Sequence, residues 1–351
     1  MSVLLSPEVM ASLVATQDLT PRGYAWKEGP FGSRCLLSSC VELGPDREAV
    51  LAIGAFDGFH LGHRHLMDAA RAEARRRGSL CLAVMFDPDP DELFLGDRAP
   101  RRLLTCEDRA RIIASTGVDG VVMLRFDERL SSMEPLAFVE DILCGLCHPA
   151  CVHVGSNFRF GHRGSGDQGT LRSYGVSRGF EVVVHELLEL DGGTVSSTRI
   201  RSLLAQSDGL GEANQLLGHL HFLRGVVEHG RGEGTSFGFP TANVRFPALS
   251  CMPAQGVYAG FVTIGNSAWP AAINVGAPPT FSSADELFCE ANLLGFSGNA
   301  YGADVSVTFD HWLRASRPFS SLEELERVVL GNIDWVRTHL GEEEIVLGGG
   351  R

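Results

Sequence analysis

The rhythm of hydrophobic and polar positions changes near residue 222. From Ala49 to about Leu204, short apolar runs alternate with stretches of helical spacing. Ala49–Ile53, Ser79–Phe86, Val118–Leu124, Cys151–Gly155 and Phe180–His185 read as strands, and 64–77, 107–115 and 135–146 read as helices. Such alternation predicts a parallel sheet with helices on both faces. From Phe222 the strands succeed one another without long helices: Phe222–Glu228, Gly256–Ile264, Trp269–Val275, Leu287–Leu294 and Asp304–Phe309. An amphipathic helix from about Leu322 to Leu340 closes this half. That pattern predicts a small closed antiparallel barrel with one helix packed on it. The expected fold class is therefore α/β, a Rossmann-like parallel-sheet domain followed by a small antiparallel β-barrel. The expected divisions are an extension over 1–46, a sheet domain over 47–205, a linker over 206–221, a barrel domain over 222–343 and a tail over 344–351. Within the extension, Leu36 and Leu37 suggest an edge strand, and its role is otherwise unreadable.

Composition narrows the function classes. The chain of 351 residues is 44% hydrophobic and 21% charged, as expected for a globular protein of two ordinary domains. No apolar run reaches the roughly 18 residues of a membrane span, and Met1–Pro7 lacks the basic and apolar regions of a secretion signal. A net charge of −13 argues against a dedicated nucleic-acid binder. The expectation is a cytoplasmic protein with no membrane and no nucleic-acid partner. The nine cysteines then read as reduced thiols. Cys144, Cys147, His148, Cys151 and His153 imitate a c-type haem or zinc pattern, but they also fit the end of an amphipathic helix and the strand after it, which favours ordinary core cysteines.

The chemistry concentrates in Gly54-Ala-Phe-Asp-Gly-Phe-His-Leu-Gly-His63, which joins the first strand to a helix. A glycine-rich turn entering a helix aims free N–H groups and the positive helix end at an anion, usually phosphate. His60 and His63 sit at that entry, where imidazole can neutralise growing charge near neutral pH. Three further stretches lie at strand ends and so on the same rim of the sheet. Phe86-Asp-Pro-Asp-Pro90 is stiffened by its prolines. Val154-Gly-Ser-Asn-Phe-Arg-Phe-Gly161 sets Asn157, Phe158, Arg159 and Phe160 between glycines, which suits a planar ring and a phosphate and equally a plain glycine-rich loop. Ser196, Ser197, Thr198 and Arg201 form either a helix cap or a second phosphate cradle. In the barrel half, Gly238-Phe-Pro-Thr-Ala-Asn243 presents Thr241 and Asn243 on one side, as hard oxygen ligands for Mg²⁺ or as a proline turn. Glu290 is a strand carboxylate among apolar neighbours. It suits a base that takes a proton from a primary hydroxyl, and also a surface position at a strand end.

F-D-G-x-H-x-G-H resembles the signature of the nucleotidylyltransferase superfamily. That superfamily includes the class I aminoacyl-tRNA synthetases, whose lysine-rich K-M-S-K-S loop does not occur here. With F-D-P-x-P, V-G-x-x-F-R-F-G and S-S-T-R-I-R in this order, the first half resembles the FMN adenylyltransferase module of bacterial bifunctional FAD synthetases. P-T-A-N, the later glutamate, Asn299-Ala-Tyr-Gly302 and Trp312-Leu-Arg314 resemble the riboflavin kinase module. The resemblance runs from about Val50 to the end of the chain. It implies Gly54, Phe56, Asp57, Gly62, Ser196, Ser197, Thr198 and Arg201 as ATP and phosphate contacts, and His60 and His63 as catalytic groups. It implies Asn157, Phe158, Arg159, Phe160 and Arg314 as flavin contacts, Thr241 and Asn243 as Mg²⁺ ligands, and Glu290 as the base. ATP, riboflavin and FMN are then substrates, FAD the product, and no flavin is prosthetic.

The sequence also departs from the family. Met85 and Asp89 replace the threonine and histidine of T-F-D-P-H-P, and Asp89 is expected to repel nucleotide phosphates. In the second half Thr235 replaces an arginine, Pro278 the arginine of R-P-T, Asn292 a histidine and Gly295 an aspartate. The resulting expectation is phosphorylation of riboflavin to FMN followed by adenylylation to FAD, with oligomeric state open. An adenylyltransferase with an impaired kinase half and a non-catalytic flavin-binding regulator are the alternatives.

Overall fold

The computed structural model describes residues 5–17, 20–44, 47–229, 241–276 and 288–348. Contacts divide the chain into two units. One comprises Leu19–Pro100 and Cys106–Ser196, and the other comprises Met1–Asp18, Arg101–Thr105 and Ser197–Arg351.

The first unit is built on a seven-stranded sheet. Its strands are β1 (Tyr24–Glu28), β2 (Arg34–Ser38), β3 (Ala49–Ile53), β4 (Leu80–Asp87), β5 (Gly120–Arg125), β6 (Pro149–Gly155) and, after two short strands, β9 (Glu181–His185). The short strands β7 (Arg159–Phe160) and β8 (Gly166–Asp167) pair with each other, as do β10 (Glu189–Leu190) and β11 (Gly193–Thr194). The order is β1-β2-β5-β4-β3-β6-β9, and β5 through β9 are parallel. Strand β3 is buried along its whole length, as befits a strand covered on both faces. Relabelled by position in the chain, the five parallel strands run 3-2-1-4-5, so the order reverses between β3 and β6. In sheets of this kind ligands bind at that switch point, beyond the carboxyl ends of the strands. Leu36 and Leu37 lie in β2, which pairs with β5 on one side and β1 on the other, so the edge strand is β1 and not the expected one. The expected helix over 135–146 begins at Pro135 but widens to π geometry over Phe138–Cys147.

The second unit holds six strands that close into an antiparallel barrel. They are β12 (His221–Glu228), β13 (Ala242–Arg245), β14 (Gly256–Ile264), β15 (Ser267–Gly276), β16 (Phe288–Leu293) and β17 (Asp304–Arg314). Pairing of β14 with β15 completes the ring, and β18 (Ile345–Val346) extends β15 at one edge. The helix Leu322–His339 packs on the barrel through Ile333 and Val336. The same apolar cluster takes Leu13 from the helix Pro7–Ala15. Thr16 shares a 2.8 Å hydrogen bond with Thr263, and Gln17 Nε2 donates to the Leu347 carbonyl. The first residues therefore belong to the barrel unit, which the sequence pattern does not disclose. Residues 206–221, expected as a linker, are largely the helix Leu210–Leu217 of the same unit.

Candidate active sites

In the sheet unit, the turn after β3 is bent by two left-handed aromatic residues, Phe56 (φ 55°) and Phe59 (φ 38°), with Gly58 (φ 78°) between them. Each non-glycine residue in that region costs about 1–3 kcal/mol. Both rings are fully buried and meet edge to face at 6.4 Å, and burial of each contributes about 1.5–3 kcal/mol, enough to offset the strain. His60 caps the helix Leu61–Arg77, and its Nδ1 accepts from the His63 N–H at 3.4 Å, which leaves the proton of a neutral His60 ring on Nε2. The two imidazoles stack with centroids 3.7 Å apart. A Cβ at position 62 would stand 3.2 Å from the His60 ring, so glycine is what lets that ring lie over the first helical turn. Burial first, then His60 and Arg109, hold the His63 imidazole well below its ordinary value. Its Nδ1 is buried with no hydrogen-bond partner among the described residues. The helix start thus offers backbone N–H groups and two stacked imidazoles, an arrangement suited to an anion.

Arg109 of the helix Cys106–Ser115 lies beneath this turn, fully buried. Its two terminal nitrogens meet the two Asp89 oxygens at 2.7 and 2.8 Å, and it also donates to the Ala55 carbonyl and lies 3.8 Å from Asp57. Burial works against its charge, and Asp89 and then Asp57 outweigh burial and raise its pKa above the ordinary value. The expected open repulsion by Asp89 is thereby corrected, because both of its oxygens are engaged by a cation. Arg109 is a residue the motif reading misses. The available signal is its place on the Cys106, Ala110, Ile113 face, where an apolar residue belongs.

The stretch after β6 leaves from the other side of the switch point. Gly155 lets the Asn157 carboxamide come close, since a Cβ there would lie 3.0 Å from Oδ1. Asn157 and Arg159 are exposed, and Phe158 stacks on Phe160 at 5.6 Å. Phe160 is 5% exposed and packs on Phe138, so its ring belongs to the core and not to an open flavin wall. Ser196 closes the sheet unit, whereas Ser197, Thr198 and Arg201 lie on the helix Ser197–Leu204 of the barrel unit. There Arg201 Nε donates to the Arg101 carbonyl at 2.5 Å. Cys147 and Cys151 are buried and free, and burial pushes their thiols up to about 12 and about 11.

In the barrel unit the register does the positioning. Asn243 of β13 stands opposite Glu290 of β16, which stands opposite Asn274 of β15. Opposed residues share one face of a sheet, and Thr241, two residues before Asn243, falls on that face too. The intervening Cys289 and Ala291 are buried in the barrel core. Thr241, Asn274, Glu290 and Asn292 line a cavity of about 500 Å³, together with Arg314 and Phe319. Arg314 donates to Asn332 and lies 5.6 Å over the Phe319 ring. Burial, then Arg317, lowers its pKa from the ordinary value. Asn274 is a cavity residue the motif reading misses, although it alternates with the buried Ile273 and Val275. Gly295 takes φ 75°, and a Cβ there would meet the Glu342 carbonyl at 2.1 Å, so a backbone requirement of this chain explains that departure. Gly238, Phe239, Pro240, Thr235 and Pro278 lie outside the described residues.

The two units therefore define a nucleotidyltransferase-like sheet domain and a flavokinase-like barrel on one chain. Residues 44–199 match the FAD synthetase family and residues 217–340 the riboflavin kinase family. The bifunctional riboflavin kinase/FMN adenylyltransferase of Escherichia coli K12 is 36% identical over 283 residues, 80% of this chain and 90% of the relative. Its counterpart in Pseudomonas fluorescens is 36% identical over 82% of this chain and 91% of the relative, and that of Bacillus subtilis 33% over 79% and 88%. A crystal structure described as a macrolide-efflux protein from Streptococcus pneumoniae aligns with a TM-score of 0.75 at 27% identity, covering 84% of this chain and 96% of that one. No helix among the described residues is long and apolar enough to cross a membrane. The chain belongs to the bifunctional riboflavin kinase/FMN adenylyltransferase family, the bacterial FAD synthetases.

Proposed function

We propose that the barrel unit phosphorylates riboflavin to FMN with ATP, and that the sheet unit adenylylates FMN to FAD with release of pyrophosphate. The observation that carries this reading is the coexistence of two clusters of polar side chains, one in each unit. One is the stacked His60–His63 pair at the switch point, and the other is Glu290 between Asn243 and Asn274 on a cavity of about 500 Å³. In the barrel, Glu290 takes the proton of the ribityl 5′-hydroxyl as that oxygen attacks the γ-phosphate of ATP. Thr241 and Asn243 offer hard oxygens on the same face, a donor set that fits Mg²⁺ between phosphates. When bound, the ion supplies charge neutralisation to the phosphates. Arg314 and Phe319 give the flavin a cationic and an aromatic wall. In the sheet unit, the FMN phosphate attacks the α-phosphate of a second ATP. His60, His63 and the first N–H groups of their helix hold the charge that develops, with Gly54, Phe56, Asp57 and Gly62 shaping the turn. Asn157, Phe158 and Arg159 contribute to the flavin side, and Ser196, at the end of the sheet unit, to the phosphates. No covalent intermediate is required. The cytoplasm as its compartment and small molecules as its partners are part of the same proposal.

A second reading is favoured by one observation, that Asn292 lines the kinase cavity where the family has histidine. It keeps the adenylyltransferase and impairs the kinase. Incubation with riboflavin and Mg-ATP, then with FMN and Mg-ATP, followed by chromatographic separation of the flavins, decides between them. FAD from both substrates supports two active units, FAD from FMN alone supports the second reading, and no conversion from either overturns both.

A further inference from the structure

The departure at position 89 sits within hydrogen-bonding distance of the most deeply buried cation of the sheet unit. Both Asp89 oxygens are taken up by the Arg109 terminal nitrogens, at 2.7 and 2.8 Å. The same guanidinium donates to the Ala55 carbonyl and stands 3.8 Å from Asp57. Ala55 and Asp57 bracket Phe56, whose left-handed backbone sets the shape of the turn that leads to His60. Arg109 is 0% exposed, so water cannot replace a lost partner, and its Nε is already without a hydrogen-bond partner among the described residues. A guanidinium so buried needs its paired carboxylate to stay in place.

We propose that Asp89 is a positioning residue for adenylyl transfer, acting through Arg109 to hold the Gly54–His60 turn in the form that presents His60 and His63. The inference rests on the adenylyltransferase reading of the sheet unit. It reverses the expectation that an acid at this position harms the enzyme by repelling phosphates, and the two views predict opposite signs. If Asp89 repels, removal of its charge tightens ATP binding. If Asp89 positions, removal loosens the turn and slows the chemical step.

Asp89 also caps the short helix Pro90–Leu95, with Glu92 accepting from the Asp89 N–H at 3.4 Å. Asparagine caps a helix as well as aspartate does, so Asp89→Asn keeps the cap while it removes the charge and one of the two acceptors that face Arg109. In the full-length protein, Asp89→Asn is expected to lower kcat for FAD formation from FMN roughly ten- to hundredfold, with KM for ATP within about twofold. FMN formation from riboflavin by the same variant is expected to stay at the unsubstituted rate. Asp89→Glu keeps the charge and is expected to recover most of the lost kcat. A fall in KM for ATP, or a kcat within about twofold of the unsubstituted protein, overturns the proposal. So does an equal loss of both activities, or Asp89→Glu performing no better than Asp89→Asn. If the unsubstituted protein makes no FAD from FMN, the adenylyltransferase reading itself fails.

Discussion

The sheet unit and the barrel unit hold their polar groups by different means. In the sheet unit the groups sit on loops after β3 and β6, and their placement depends on side chains from elsewhere in that unit. Phe56 and Phe59 pin the turn by burial, and Arg109, about fifty residues downstream, ties it through Ala55 and Asp57. In the barrel unit Asn243, Glu290 and Asn274 stand on three paired strands, and the hydrogen-bond ladder sets their spacing. A strand site comes with its neighbours built in, because a one-residue slip would turn every group to the other face and push core residues outward. A loop site has no such ladder and needs anchors, and here the anchor is a charge that cannot leave its partners.

The difference can be broken first at the barrel base. Glu290→Gln is expected to lower FMN formation from riboflavin by about 10²–10⁴-fold, the usual contribution of a general base, while FAD formation from FMN persists. Flavin chromatography on both substrates checks it, and retained phosphorylation would remove Glu290 from its role. Next in size, His63→Ala is expected to slow adenylylation of FMN by about 10²–10³-fold through loss of a group aimed at developing charge, with riboflavin phosphorylation intact. Equal losses in the two reactions would show that the two sites are not held independently.

Acid sharpens the comparison of the two cores. His221 of the barrel is 1% exposed, and its Nε2 donates to the Cys251 carbonyl at 2.9 Å. Burial pulls its pKa from 6.5 down to about 4. The unfolded chain therefore takes up a proton as pH falls through 6.5 while the folded barrel does not until about 4. Stability present at neutral pH is lost across that window, by about 3 kcal/mol for this group. Thermal melts at neutral and acid pH in His221→Gln are expected to show a shallower decline than in the unsubstituted protein. His153 of the sheet unit is likewise held at about 4 by burial and then His185, so the decline is reduced and not abolished. The smallest effect is expected at Asn292→His, which restores the family residue on the cavity wall. A rise in riboflavin phosphorylation of roughly two- to tenfold would mark Asn292 as a weak point of the kinase site, and no change would mark it as tolerated.

Much of this molecule is legible without coordinates. The switch from strand-helix alternation to consecutive strands at residue 222 specifies a parallel sheet followed by a barrel, since side-chain period follows directly from backbone geometry. The glycine and histidine spacing of Gly54–His63 marks a turn that enters a helix, where orphan N–H groups are a local property. Long-range partnership is not encoded in any local period. The helix Pro7–Ala15 carries nothing that points to the barrel, yet Leu13, Thr16 and Gln17 are spent on it. Phe160 reads as a ligand wall from its glycine-flanked setting and is in fact core, because Phe138 comes from a distant helix to cover it. Asp89 reads as a bare charge beside the phosphates until Arg109 is placed against it. By itself the sequence determined the strand-helix alternation of the first unit and the consecutive strands of the second, since these follow from neighbours along the chain. Only the tertiary structure decided which charges are compensated and which aromatics are buried, since burial and pairing depend on what the fold brings from afar.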